Sequence, residues 1–318
     1  MPINKHPVRG YLSIAAATFF WGISASLGRA VFTGRLTPGG ITLAPIDPLI
    51  LAQSRTSIAF LVLLPVLLWQ RGAGGLTLPR RDLLRVVLLG TFGVAASNYF
   101  YFLAIQKTNV ATSIILQYTA PVWVLLYMVA RGIQKPSLQR VCAVGLAVVG
   151  SALAIGVLGA GGFRANPLGL MAAMLAAFSF AYYNVGGHDI LARYHRWQVL
   201  VITLGSAAAF WLIVNPPWKI IAAHYGRAEW SFLLVFAITS VLLPFSLYFT
   251  GLQHLDATSA IVASCLEPVF AILIAAVALG EVVRPIQMIG IAIVLAAIVL
   301  VQLPDRTGTA EPVVEPIE

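Results

Sequence analysis

Residues 257–280 read ATSAIVASCLEPVFAILIAAVALG, and apart from Glu267 the stretch carries no charge. A helix rises about 1.5 Å per residue, so about 20 apolar residues cross the hydrocarbon core of a bilayer. This run is long enough to do so. It also holds two residues that such a helix has no structural need of, a carboxylate in its middle and a proline directly after it.

Runs of the same kind recur along the whole chain. Ten candidate spans can be drawn, at about 11–32, 47–69, 84–105, 110–131, 138–159, 167–188, 197–216, 230–252, 257–280 and 285–303. Short polar or Pro/Gly breaks separate them, such as QRGAGG after Trp69 and VNPPW before Lys219. Of the 318 residues 59% are hydrophobic and 10% charged, with a mean hydropathy of +0.90. A soluble domain averages about a quarter charged. The expected fold is therefore an all-α integral membrane protein with ten transmembrane helices. Lys5 and Arg9 precede the first apolar run as they would in a cleaved signal, but the run continues to about Val31 and nine more follow. It reads as an uncleaved first helix. The acidic, proline-containing end EPVVEPIE places a disordered tail at 304–318.

The net charge of +9 points to membrane topology rather than to nucleic acid. With the N-terminus inside, Lys5, Arg9, Arg71, Arg80, Arg81, Arg85, Arg131, Lys135, Arg140, Arg193, Arg196 and Arg306 fall on the cytoplasmic side. Arg29, Arg35, Lys107, Arg164, Lys219, Arg227 and Arg284 fall outside, and Arg55 lies within a span. Twelve against seven follows the positive-inside bias. It predicts a cytoplasmic (inner) membrane protein with both termini in the cytoplasm. Cys142 and Cys265 sit in apolar helices, so no disulfide framework is expected. No metal-ligand spacing, phosphate-binding loop or nucleophile motif is present, so neither metal nor cofactor is expected. His6, His188, His195, His224 and His254 fall at helix ends or in loops and read as solvated interfacial groups.

Setting the segment from Asn98, NYFYFLAIQKTNVATSIILQYTAPVW, over that from Phe245, FSLYFTGLQHLDATSAIVASCLEPVF, gives an ungapped match at an offset of 147. Tyr101 matches Tyr248, Phe102 Phe249, Gln106 Gln253, Ile114 Ile261, Pro121 Pro268 and Val122 Val269. The chain thus divides into two five-helix repeats, 11–159 and 167–303. Five is odd, so the two must have opposite orientations. Inverted repeats build secondary transporters whose substrate site lies near the midplane between the halves. A duplicated but purely structural membrane protein is the alternative.

The ten-span pattern, Arg55 in LAQSRTSIAFLVL, and the run EPVFAILIAAVALGE from Glu267 through to Gly290 resemble the EamA-type transporters of the drug/metabolite transporter superfamily. The resemblance covers nearly the whole chain. It implies a ten-helix inverted-repeat secondary transporter, often an exporter of metabolites or amino acids. The first half departs from the pattern, with Ala120 at the position of Glu267 and Gln134 at that of Glu281. Any role that needs a carboxylate is asymmetric between the halves.

Glu267 is the first candidate for substrate or coupling-ion binding. An acid at the bilayer centre costs about 2.5–3.5 kcal/mol on insertion scales and so faces a cavity or a partner. Pro268 and its match Pro121 each remove a backbone donor and mark points where the helix can bend. Arg55 lies at a depth that permits pairing with Glu267. It can equally snorkel outward, or bind a carboxylate on a substrate. Ser264 shares a face with Glu267, and Ser113 and Gln117 share the matching face of span four. Both stripes are expected to line one cavity, unless Ser113 and Ser264 serve as packing glue. Trp21, Tyr101 and Asn98 complete the set, and the remaining tyrosines are divided between cavity and interfacial belt. Asp256 reads as a helix N-cap and Glu281 as an interfacial acid near Arg284.

These residues predict a secondary transporter of a small metabolite or amino-acid-like solute, working by alternating access in the lipid bilayer, with protons as a candidate coupling ion. It would act as a monomer or homodimer. The alternatives are a facilitative exchanger with a structural Glu267 and a membrane-embedded lipid-modifying enzyme. No convergent catalytic set supports the latter.

Overall fold

The computed structural model describes residues 6–32, 43–108, 110–156, 166–279 and 282–303. Regular structure among them is helical throughout. The first span is a single helix, α1 (Pro7–Phe32), and the second is α2 (Pro48–Arg71). Asp47 starts α2 by accepting from the Leu49 and Ile50 N–H groups, with Pro48 preset for the first turn. The third span joins α3 (Arg80–Leu88), a π-helical stretch Leu89–Ala95 and α4 (Ala96–Lys107). Span four is broken into α5 (Val110–Gln117) and α6 (Ala120–Ala130), and α7 (Leu138–Ile155) completes the first half.

The second half repeats the plan. It runs through α8 (Pro167–Leu191), α9 (Arg196–Val214) and a short α10 (Pro217–Ala222) in the connection. The eighth span joins α11 (Arg227–Ala237), a π-helical stretch Ile238–Leu242 and α12 (Leu243–His254). Span nine is broken into α13 (Ala257–Ser264) and α14 (Leu266–Leu279), and α15 (Pro285–Gln302) is the tenth. Among the described residues nine spans are long and apolar enough to cross a bilayer. The 26-residue α1 is the tenth.

The offset found in the sequence recurs in the backbone. Shifted by 147, α4 falls on α12, α5 on α13 and α7 on α15, end for end. The π stretches and the helix breaks also coincide to within a few residues. Packing follows the same symmetry: α1 lies against α12 and α14 of the other half, while α8 lies against α4, α5 and α6. Helices α2 and α9 run side by side, as do α7 and α15.

The crossing of α7 and α15 depends on glycine. A Cβ on Gly290 would lie 2.3 Å from the Ala154 nitrogen, and one on Gly150 would lie 2.8 Å from that of Val294. Two backbones in direct contact give van der Waals packing that lipid tails cannot compete with. Buried Ala143, Ala147 and Ala297 continue the contact.

Contacts between loops show which ends share a face. The His6 and His254 rings lie 6.1 Å apart, and Gln198 Nε2 donates to the Thr77 carbonyl at 2.9 Å. Arg193 Nη1 donates to Asp82 at 3.1 Å, Gln134 Nε2 to Asp256 at 2.9 Å, and Gln139 Nε2 to the Leu303 carbonyl. Residues near both ends of the described chain therefore emerge on one face. On the other face Ala44 N–H donates to Glu229 at 3.1 Å, and Asn215 Nδ2 to Gln53 at 2.6 Å.

Asp256 does more than cap α13. Its carboxylate accepts from the Ser259 N–H at 3.0 Å and hydroxyl at 2.6 Å and from the Gln134 amide, whose oxygen in turn accepts from the Thr258 hydroxyl at 2.8 Å. Burial alone would raise the Asp256 pKa, but these hydrogen bonds and the Arg140 charge outweigh it and hold the group below the usual carboxylate range. A depressed pKa stabilises the fold above the unfolded value, about 3.9, and the gain is lost as pH falls through the folded value. Asp256→Ala is expected to cost about 1–2 kcal/mol by losing the cap and leaving Gln134 unpaired. A thermal melt should show a lower midpoint at neutral pH, with a smaller gap from wild type at a pH well below 4. An equal gap at both pH values would refute the electrostatic account.

Two expectations need correction. His254 is buried, at 7% exposure, rather than solvated. Spans four and nine are broken helices, not single ones, and Pro121 and Pro268 stand in the first turns of α6 and α14. The interruption precedes each proline, which then starts the new helix with a preset φ and no orphaned N–H. Glu281 and the tail 304–318 lie outside the described residues.

Candidate functional site

The breaks in spans four and nine put irregular backbone at mid-membrane depth, which is tolerated only where protein or a water-filled space surrounds it. A proline has no N–H to give, so the carbonyls four residues back, at Gln117 and Ser264, lack their helical donor. Glu267 stands in the first turn of α14. There the partial positive charge of a helix N-terminus favours an acid. Tyr118, at the matching break of the first half, lies beside the Glu267 carboxyl.

Arg55 approaches the same region from α2. Its Nη2 donates to Asn98 Oδ1 at 2.6 Å, and its guanidinium lies 6.0 Å from the centroid of Phe102. Asn98 is itself oriented by donating from Nδ2 to the carbonyl of Val94 at 2.8 Å. Val94 belongs to the π stretch, whose wider turn disturbs the regular α-helical ladder. The irregular turn thus aims the amide that holds the arginine.

Arg55 and Glu267 act on one another electrostatically, and Tyr101 lies near both Arg55 and Tyr118. They do not form an ion pair with each other; ion pairs elsewhere join Asp82 with Arg85 and Arg193, and Arg193 with Asp189. In place of a pairing with Glu267, Arg55 is held by Asn98, a partner the sequence had not proposed for it. The Arg55 Nε is buried without a hydrogen-bond partner. Arg55, Asn98, Tyr101, Gln117 and Glu267 all keep some accessible surface although they lie among the central helices. A cation and an acid thus approach from opposite repeats, each with spare bonding capacity.

Trp21 packs edge-on against Phe245, with ring centroids 5.6 Å apart, and tilted against Tyr248 at 5.2 Å. It stands beside Gly22, where a Cβ would lie 2.9 Å from the Ala271 nitrogen, so α1 and α14 touch through their backbones next to the site. The Tyr248 hydroxyl donates to Asn184 Oδ1, and Asn184 Nδ2 donates to the Phe180 carbonyl at 2.8 Å. Ser264 is buried, donates to the Ile261 carbonyl at 2.7 Å and lies near Tyr248. Gln117 Nε2 reaches the Ser97 hydroxyl at 3.4 Å. Ser113 is buried and shares a 3.2 Å hydrogen bond with Thr108 at the corner between α4 and α5.

The site therefore gathers Glu267, Arg55, Asn98, Tyr101 and Gln117, with Trp21 and Ser264 beside them through Tyr248, while Ser113 lies apart. Tyr118, Asn184 and Tyr248 stood in the sequence among aromatic and amide residues divided between cavity and interfacial belt, without a place in the candidate site. A signal existed for Tyr118, which occupies the position matching Cys265, two residues before Glu267.

The profile of the EamA-like transporter family matches residues 8–156 and again 167–303. The chain belongs to the EamA-like transporter family. A solved crystal structure superposes on the transporter with a TM-score of 0.74 at 21% identity, covering 93% of this chain and 97% of the other. An uncharacterized inner membrane transporter, YicL of Salmonella typhimurium, is 23% identical over 71% of this chain and 75% of its own. An uncharacterized transporter of Archaeoglobus fulgidus is 26% identical over 80% and 86%. The threonine/homoserine exporter RhtA of Escherichia coli is 26% identical over 63% of this chain and 65% of its own. The protein is an integral membrane transporter of the drug/metabolite superfamily.

Proposed function

We propose that the transporter exports a small amino-acid-like solute across the cytoplasmic membrane by alternating access, with protons as the coupling ion and Glu267 as the group that carries them. The observation behind this reading is the separation of Arg55 from Glu267. A fixed cation and a fixed acid, on opposite repeats and not paired with each other, suit a solute that carries a carboxylate and an ammonium. The carboxylate would take the spare donors of Arg55, the ammonium would take Glu267 with Tyr118, and Trp21 and Tyr101 would pack the side chain. The name of RhtA supports an amino-acid-like cargo moved outward. Charge supports the orientation: among the described residues Arg9, Arg71, Arg80, Arg81, Arg85, Arg131, Lys135, Arg140, Arg193 and Arg196 lie on the face with both chain ends, against Arg29, Lys107, Lys219, Arg227 and Arg284 toward the opposite face. One chain supplies both halves, so a monomer holds the whole site.

The first test is a thermal-shift screen of neutral amino acids at two pH values. A ligand at 100 times its Kd stabilises the folded state by about 2.7 kcal/mol. The reading expects shifts for amino acids, smaller ones for their decarboxylated amines and deaminated acids, and loss of both in Arg55→Gln. Equal shifts for an amino acid and its amine in wild type would exclude carboxylate recognition.

A further inference from the structure

On the face that carries both chain ends, basic side chains from three helices converge without an acid among them. The charged groups that bear on His254, at the end of α12, are Arg9, His6 and Arg196. Arg9 and Arg196 also repel each other, and His195 sits in the field of Arg71 and Arg196, which with burial lowers its pKa. The acids described on this face are engaged elsewhere: Asp82 holds Arg85, Arg193 and the Tyr194 hydroxyl, Asp189 holds Arg193, and Asp256 is bound by Ser259 and Gln134. Two atoms in the cluster, Nδ1 of His254 and Nε of Arg196, are buried with no hydrogen-bond partner, and His254 is only 7% exposed.

Gathering like charges costs free energy, and leaving buried polar atoms unpaired costs more. An anion relieves both. We propose that this pocket binds the phosphate headgroup of an anionic membrane lipid, seated between the ends of α1, α9 and α12. The apolar surroundings favour a lipid over a free ion. On α1, Val8 and Leu12, one turn apart and flanking Arg9, are 73% and 67% exposed, where an acyl chain would lie. Trp197 beside Arg196, with its ring 5.4 Å from the guanidinium carbon, is the residue type that marks the depth of headgroups. This assignment is independent of the substrate proposed for the central site.

The test reconstitutes the full-length transporter in nanodiscs of phosphatidylcholine with increasing phosphatidylglycerol, reading co-purified anionic lipid and the thermal midpoint. Wild type is expected to retain anionic lipid saturably and to melt higher with it. Each of Arg9→Gln and Arg196→Gln should weaken retention about fivefold, while Arg131→Gln, in the loop beyond α6 on the same face, should leave it unchanged. Equal losses in all three variants would mean general surface charge and overturn the site. So would a wild-type midpoint insensitive to phosphatidylglycerol. A full stabilisation by inorganic phosphate in neutral detergent would overturn the lipid as its ligand.

Discussion

Glu267→Gln is expected to cut export by about 30-fold or more and to flatten what remains against pH. Glutamine has nearly the shape of glutamate, so the break before α14 should persist. What goes is the negative charge opposite Arg55 and the ability to take up and release a proton. Losing one member of a desolvated charge constellation costs about 2–5 kcal/mol, a factor of about 30 upward. The measurement is uptake or efflux of the best-shifting amino acid in proteoliposomes under an imposed pH gradient. Wild type should accumulate solute against its gradient, whereas the variant should at best equilibrate it. If the variant still drives accumulation with an unchanged pH profile, Glu267 is a structural group at a helix N-terminus and coupling lies elsewhere.

Gly290→Leu is expected to abolish the folded protein. The nearest atoms to a side chain there are backbone, Ala154 N at 2.3 Å and the Gly150 carbonyl oxygen at 2.7 Å, so nothing can rotate out of the way. Helices α7 and α15 would have to part along their whole contact, a cost of about 3 kcal/mol or more. Gly145→Leu on the same α7 is the control, since a Cβ there meets nothing within 4 Å. Size-exclusion profiles and thermal melts in mild detergent should show the control near wild type and Gly290→Leu aggregated or strongly destabilised. Equal behaviour of the two variants would mean that the close crossing contributes little.

The ten spans and the repeat were legible because hydrophobic length and a register of 147 are local properties of the chain. Asp256 as an N-cap was legible for the same reason. The breaks at Thr119 and Cys265 were half-read: proline announces an irregularity, but whether a helix bends after it or starts at it depends on neighbours the sequence does not order. Nothing in the residues flanking Leu89–Ala95 announces a π turn, because such a turn is stabilised by what packs on it. Here that is Gly90 seated against Thr203 and Ser206 of α9. The partners of Arg55 and Glu267 were out of reach for a similar reason. Depth along the membrane could be estimated by counting residues, but azimuth around each helix could not, and azimuth sends Arg55 to Asn98. His254 was misread because its burial comes from α1, 244 residues earlier in the chain at Gly10.

The register shared by the two halves bears on energetics as well as on ancestry. Each repeat has an interrupted span and a π turn at matching positions, so either can adopt the shape the other shows. Under the proposed alternating access, a second arrangement of the molecule would come from trading those shapes, with nearly the same inventory of helix ends, turns and crossings on both sides of the exchange. Two arrangements so alike in content lie close in free energy, and a cargo that favours one by a few kcal/mol is enough to reverse their populations.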